Sequence, residues 1–155
     1  MKKIKYLIVI LFITIPTKSF SLIEVDITRG NLNPLPVAVS PLSSDQQSKL
    51  ALEKELKIHD LGSEISKVVE NNLKQTGLFN PLNKDAFLQE PDIAHLKPRF
   101  EDWNLIKAQA LITGKVNFQN NKLRVEFRLW DILAGKEMMA LAFTTVPNNW
   151  RRVGH

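Results

Sequence analysis

Apolar and polar positions alternate over residues 22–28, with Ile23, Val25 and Ile27 on one side and Glu24, Asp26 and Thr28 on the other. That is the period of a half-buried strand. Turn formers in "RGNLNP" (29–34) end it. "PVAV" (36–39), bounded by Pro36 and Pro41, predicts a second, edge-tolerant strand. Residues 43–60 are polar and charged with Leu50, Leu52 and Leu56 scattered among them, which predicts a surface excursion that is partly helical. A helical period then becomes clear, as Leu61, Ile65, Val68, Val69 and Leu73 share one stripe, with Asp60 placed to cap the start and Gly77 to close the end. Such a stripe is expected to lie on a sheet.

"LFNPLN" (78–83) predicts a compact apolar turn centred on Pro81, and residues 84–99, which carry Pro91 and Pro98, an irregular stretch with a turn of helix near Phe87. "FEDWNLIKAQ" reads as a short helix with Trp103 and Ile106 inward. Strand period returns in "ALITGKVNF" (110–118), and Asn120 with Asn121 predicts a tight hairpin. "KLRVEFRLWDI" sets Leu123, Val125, Phe127 and Leu129 against Arg124, Glu126, Arg128 and Trp130. "LAGK" turns the chain into "EMMALAFTTV", the third strand of a meander. In "NNWRRVGH" Asn148 is placed as a cap, with Trp150 and Val153 three apart, but so short a helix is barely nucleated. The pattern predicts an α/β fold of the α+β type: a small mixed sheet ending in a three-stranded antiparallel meander, packed by two or three helices.

The chain starts differently. "MKKIK" holds three lysines and runs into the uncharged "YLIVILFITI". This is the form of a secretory signal, and it is shorter than the roughly 20 residues of a membrane span. Ser19 and Ser21 suit a cleavage pocket, so residues 1–21 are expected to be removed, with cleavage after Ser19 as the alternative. That takes away Lys2, Lys3, Lys5 and Lys18 and no acid, lowering the net charge from +5 to +1. The basic character is mostly the signal's, which removes the compositional case for a nucleic-acid partner. There is no cysteine, hence no disulfide, thiolate metal site, thiol nucleophile or lipid-accepting cysteine.

Candidate chemistry is sparse. His59, His95 and His155 are far apart without paired ligand spacing and read as solvated surface residues, so no metal site and no cofactor is expected. "LGSEI" (61–65) lacks the second glycine of a nucleophile elbow and reads as small residues that let a helix approach its sheet. Glu101 with Asp102, and Glu53 with Glu55, read as solvating charges. "ITGKV" lacks a phosphate-cradling glycine loop. Trp130 stands on the polar face of its strand: packing beneath a helix or loop explains it, and contact with a neighbouring domain is the alternative. "WRR" (150–152) in a near-neutral chain does not make a nucleic-acid site.

The order of the signal, "IEVDITRG", "PVAVSP", "DLGSEISKVVENNLKQTGLFNPLN", "ALITGKV", "LRVEFRLWD", "AGKEMMALAF" and "WRRVGH" resembles the N-terminal domain of the TolB family, periplasmic components of the bacterial Tol-Pal system. The resemblance implies a small α/β domain at 35–155 followed, in the family, by a β-propeller, and partner binding without catalysis. The propeller would engage the lipoprotein Pal. The first mature residues, the TolA box, would engage TolA and map here onto Ile23, Glu24, Val25, Asp26, Ile27 and Thr28 within an arm at 22–34. Implied roles are outer-membrane integrity and invagination during cell division, with bacteriocin import exploiting the same contacts in some bacteria. Thr28 and Arg29 precede Gly30 where the family commonly has an acidic and then a small residue. The chain is expected to be truncated before the propeller with its last helix incomplete; a non-functional remnant and a small periplasmic hydrolase are the competing readings.

Overall fold

The computed structural model describes residues 33–155. The signal and the alternating arm lie outside the described residues.

Strand β1 (Leu35–Val39) lies between β3 (Phe79–Pro81) and β4 (Ala110–Gln119), parallel to both. Beyond β4 follow β5 (Lys122–Asp131) and β6 (Lys136–Thr145), both antiparallel, and β2 (Ser43–Ser44) pairs with β4 further along the side that β1 occupies. The mixed sheet and its C-terminal meander are those the pattern predicts.

β1 corrects one expectation: "PVAV" is an interior strand, with Val37, Ala38 and Val39 all buried. Pro36 is tolerated because it stands near the strand's start. Its carbonyl accepts from the Gln109 N–H just before β4 begins, so the missing proline donor falls short of the ladder. "LFNPLN" is likewise more than a turn, since Phe79–Pro81 forms the β3 edge opposite Leu35–Val37.

Residues 43–60 are not a surface excursion. Ser43 and Ser44 are buried in β2, and helix α1 (Gln46–Leu56) follows, its start capped by Asp45, which accepts from the Ser48 N–H at 2.8 Å and the Ser48 hydroxyl at 2.9 Å. The helix buries only Ser48 and Leu52, too little apolar surface to show as a stripe. Helix α2 (Leu61–Gln75) is the predicted one, with the Asp60 carboxylate accepting from the Ser63 N–H and Gly77 at φ +71° beyond its end. In the stretch expected to be irregular, a 3-10 turn at Lys84–Ala86 precedes Phe87, and helix α3 (Pro91–Leu96) uses Pro91 in its first turn, where no N–H is needed. Helix α4 (Phe100–Leu105) buries Trp103, and Ile106 packs beside it. The described residues thus hold four α-helices: α1 lies in the stretch expected to be partly helical, and α3 in the one expected to be irregular.

Asn120 and Asn121, at φ 51° and 57°, make the expected two-residue hairpin between β4 and β5. The last segment (Pro147–Gly154) is a 3-10 helix that starts on Pro147, without a side-chain cap from Asn148. Trp150 is buried and Val153 packs beside it.

The core has two sides. α1, α2 and the last 3-10 helix cover one sheet face through Leu52, Leu61, Ile65, Val116, Leu123, Val125 and Trp150. α3 and α4 cover the other through Ala94, Trp103, Leu111 and Trp130. Helices on both faces of a mixed sheet make a three-layer α/β domain.

Candidate interaction site

The residues singled out for partner binding, Ile23, Glu24, Val25, Asp26, Ile27 and Thr28, lie outside the described residues. What the structure fixes is the point from which they leave. Asn33 and Pro34 are exposed, and the Leu35 N–H donates to the Leu78 carbonyl at 2.8 Å, pinning the base of the arm beside the β3 edge.

The other chemical candidates are occupied in structural roles. The Ser63 hydroxyl donates to its cap residue Asp60 at 2.7 Å, which places it in the turn of a helix start. Asp102 is paired with Arg99, and Glu53 stands 3.1 Å from the exposed ring of His59. Among the described residues no three histidine or carboxylate side chains converge as a metal site would require.

His95 departs from its expected place. It is only 7% exposed, held where α3 meets the sheet, and its Nδ1 has no hydrogen-bond partner. Burial lowers its pKa, with the Arg128 and Lys115 cations lowering it further against the opposing Glu126 and Asp92. The ring borders a pocket of about 260 Å³ with Asp45, Asp92 and Lys115. Asp45 there is committed to capping α1, and the backbone N–H of Ser48 draws its pKa down. The Ser44 hydroxyl donates to the Val116 carbonyl. The Asp45 carboxylate and the Ser44 hydroxyl are thus both engaged away from His95.

Trp130 is filled by partners within its own domain. Its indole N–H donates to the Thr113 hydroxyl at 2.9 Å, and Phe100 meets it edge-on at 6.0 Å. Packing beneath a helix accounts for it.

An apolar surface lies on the opposite sheet face, where α2 stops short of the last two strands. Phe127 and Leu129 of β5 and Met139, Leu141 and Phe143 of β6 form one wall of a groove of about 290 Å³ whose far wall includes Val69 and Val153. Met139, Leu141 and Phe143 are 52%, 48% and 43% exposed, although their pairing with Leu129, Phe127 and Val125 puts them on the core side of the sheet. The sequence did carry a signal for this. "MMALAF" is apolar on both of its alternating faces, and the elements that cover this side, α1, α2 and the last 3-10 helix, leave its core-side residues half exposed.

Fold and surface together define a mixed-sheet α/β domain with one face left partly open. Residues 23–138 match the TolB amino-terminal domain, and the chain belongs to that family. Over 146 residues it is 81% identical to the Tol-Pal system protein TolB of Pelagibacter ubique (strain HTCC1062), covering 94% of this chain and 33% of that protein. It thus spans about a third of the length of the curated relative it matches. The crystal structure of TolB from Acinetobacter baumannii shares the fold at a TM-score of 0.59 and 15% identity, over 79% of this chain and 26% of that one. The LpoB C-terminal domain from Escherichia coli does so at 0.51 and 11% identity, over 76% and 86%.

Proposed function

We propose that this chain is a periplasmic, non-catalytic, protein-binding component of a Tol-Pal system that engages TolA through its arm. In this reading residues 1–21 are a cleaved export signal, 22–34 the arm and 35–155 the domain that anchors it. The observation that supports this reading is that the family match begins at Ile23, where the alternation starts, and takes in none of the lysine-led apolar stretch before it. Among the described residues no helix is long and apolar enough to cross a membrane, which agrees with a peripheral component. Maintenance of the outer membrane and its invagination during division are the roles this binding would serve. Pal binding belongs to the propeller in the family, and no residue of this chain is assigned to it.

The physics of such an arm is that of strand addition. Its backbone pairs with the exposed edge of a partner sheet, and alternate side chains supply specificity. Ile23, Val25 and Ile27 would face the partner's apolar side, while Glu24, Asp26 and Thr28 would stay toward solvent. Titration calorimetry against the periplasmic end of TolA tests the alternation. Val25→Asp and Ile27→Asp should each weaken binding by about tenfold or more, and Thr28→Ala by about threefold or less. Equal losses at all three positions would count against an alternating, strand-like mode.

A further inference from the structure

We infer that the pocket between α3, β2 and β4 is a binding site for a free α-amino acid, held through its two opposite charges. The local sequence builds the space. β2 is two residues long and pairs with β4 so that Ser43 stands opposite Lys115. Serine there keeps the neighbour of Lys115 small, and α3 contributes Asp92, His95 and Leu96 to the same pocket. Its volume of about 260 Å³ falls just below the roughly 300 Å³ at which pockets for larger ligands begin, so it suits a molecule of amino-acid size.

The charges lining this pocket are left open. Lys115 is partly buried and makes no ion pair among the described residues, although Asp45 and Asp92 line the same pocket and Glu126 stands opposite it on β5. Glu126 is bound to Arg124 at 2.9 Å, and Arg128 to Glu137 at 2.8 Å, so the neighbouring strand charges satisfy one another. Asp92 likewise makes no ion pair among the described residues. Asp45 gives each oxygen one bond, to the Ser48 N–H and hydroxyl, and a carboxylate has room for about four. The ring of His95, only 7% exposed, lines the pocket too, and its Nδ1 has no partner in the protein. A buried polar atom without a partner is uncommon in a folded protein and marks a set of groups that another molecule completes.

Opposite charges that share a pocket without meeting suit a ligand that carries both. The ammonium of an α-amino acid would go to Asp92, with Asp45 beside it, and its carboxylate to Lys115, each as a charge-assisted hydrogen bond. Leu96, 74% exposed at the same pocket, offers an apolar contact to the ligand's side chain. Partly solvated charge pairs are individually weak, so the pocket selects by requiring both at once.

Titration of the protein with L-leucine, N-acetyl-L-leucine and L-leucinamide, followed by NMR at the amides of Ser43, Ser44 and Lys115 and at the imidazole of His95, tests this. L-Leucine should give saturable shifts with a Kd of about 1 mM or less, and blocking either of its charges should weaken binding at least about tenfold. Lys115→Met should remove the preference for L-leucine over L-leucinamide, and Asp92→Asn should reduce the preference over N-acetyl-L-leucine, while thermal unfolding shows both variants folded. The comparison of blocked and free ligands on the native protein needs neither variant, so it decides the matter even where one of them unfolds. No saturable shift with L-leucine or glycine up to about 20 mM would overturn the inference. Equal affinity for the free and both blocked forms would overturn it as well, since the charges would then play no part.

Discussion

Gly62 and Leu42 meet so closely that no side chain fits between them: a Cβ on residue 62 would lie 2.1 Å from the Leu42 carbonyl oxygen. The contact joins the first turn of α2 to the link between β1 and β2, where the Leu42 N–H also points to the Gly62 carbonyl at 3.4 Å. One turn later the Ser66 hydroxyl reaches the Ser40 carbonyl at 2.9 Å. The small residues of "LGSEIS" thus set the distance between the helix and the chain that flanks the sheet.

Gly62→Ala should therefore force backbone apart and destabilise the domain by about 2 kcal/mol, within the range for overpacking a filled core. Urea unfolding would show a lower midpoint at an unchanged slope. An unchanged midpoint would mean that α2 can lift from Leu42 without cost.

Trp130 and Thr113 form a second testable pair. Breaking their buried hydrogen bond with Trp130→Phe or Thr113→Val should lose more than packing alone, and a double-mutant cycle should return a coupling of about 1 kcal/mol. Strict additivity of the two changes would mean that the indole N–H contributes nothing to the fold.

His95 makes stability depend on pH. Its folded pKa is below the usual 6.5, so the unfolded chain takes up a proton that the fold resists. Stability is indifferent to this group well above pH 6.5. It falls as the pH drops below that value and levels off only once the folded pKa is passed. The guanidinium midpoint of the native chain should fall more steeply between pH 7 and pH 5 than that of His95→Gln, and parallel curves would contradict the burial of the ring. The cap at Asp45 acts in a separate window: its depressed pKa contributes stability above the ordinary carboxylate value of 3.8, which is lost as the pH falls further.

Where one residue pattern dominates a segment, the sequence foretold the structure. The stripe from Leu61 to Leu73, the alternation of Leu123 to Leu129 and the Asn120–Asn121 turn each depend on near neighbours and appear as expected. The misreadings came from long-range effects. Ser43, Ser44 and Ser48 look like loop residues, yet they are buried because the Ser44 hydroxyl donates to Val116 and the Ser48 hydroxyl accepts from the Phe118 N–H, both on β4. "PVAV" looked like an edge because its neighbours Phe79–Pro81 and Ala110–Ile112 are far along the chain. His95 looked solvated because α3 was not foreseen. As for the candidate site, the arm's alternation was legible in the sequence, while the open face on β6 left only the apolar run "MMALAF" as a signal and is located once the helices are seen to stop short of it.

The central claim concerns the arm. Calorimetric titration of the periplasmic end of TolA into two forms of the protein, one beginning at Leu22 and one beginning at Pro34, tests it most directly, with thermal unfolding of both as the companion reading. The account predicts saturable binding by the longer form, none by the shorter and nearly equal Tm values, because Leu35 and the rest of the sheet are retained in both. Equal binding by the two forms would contradict it.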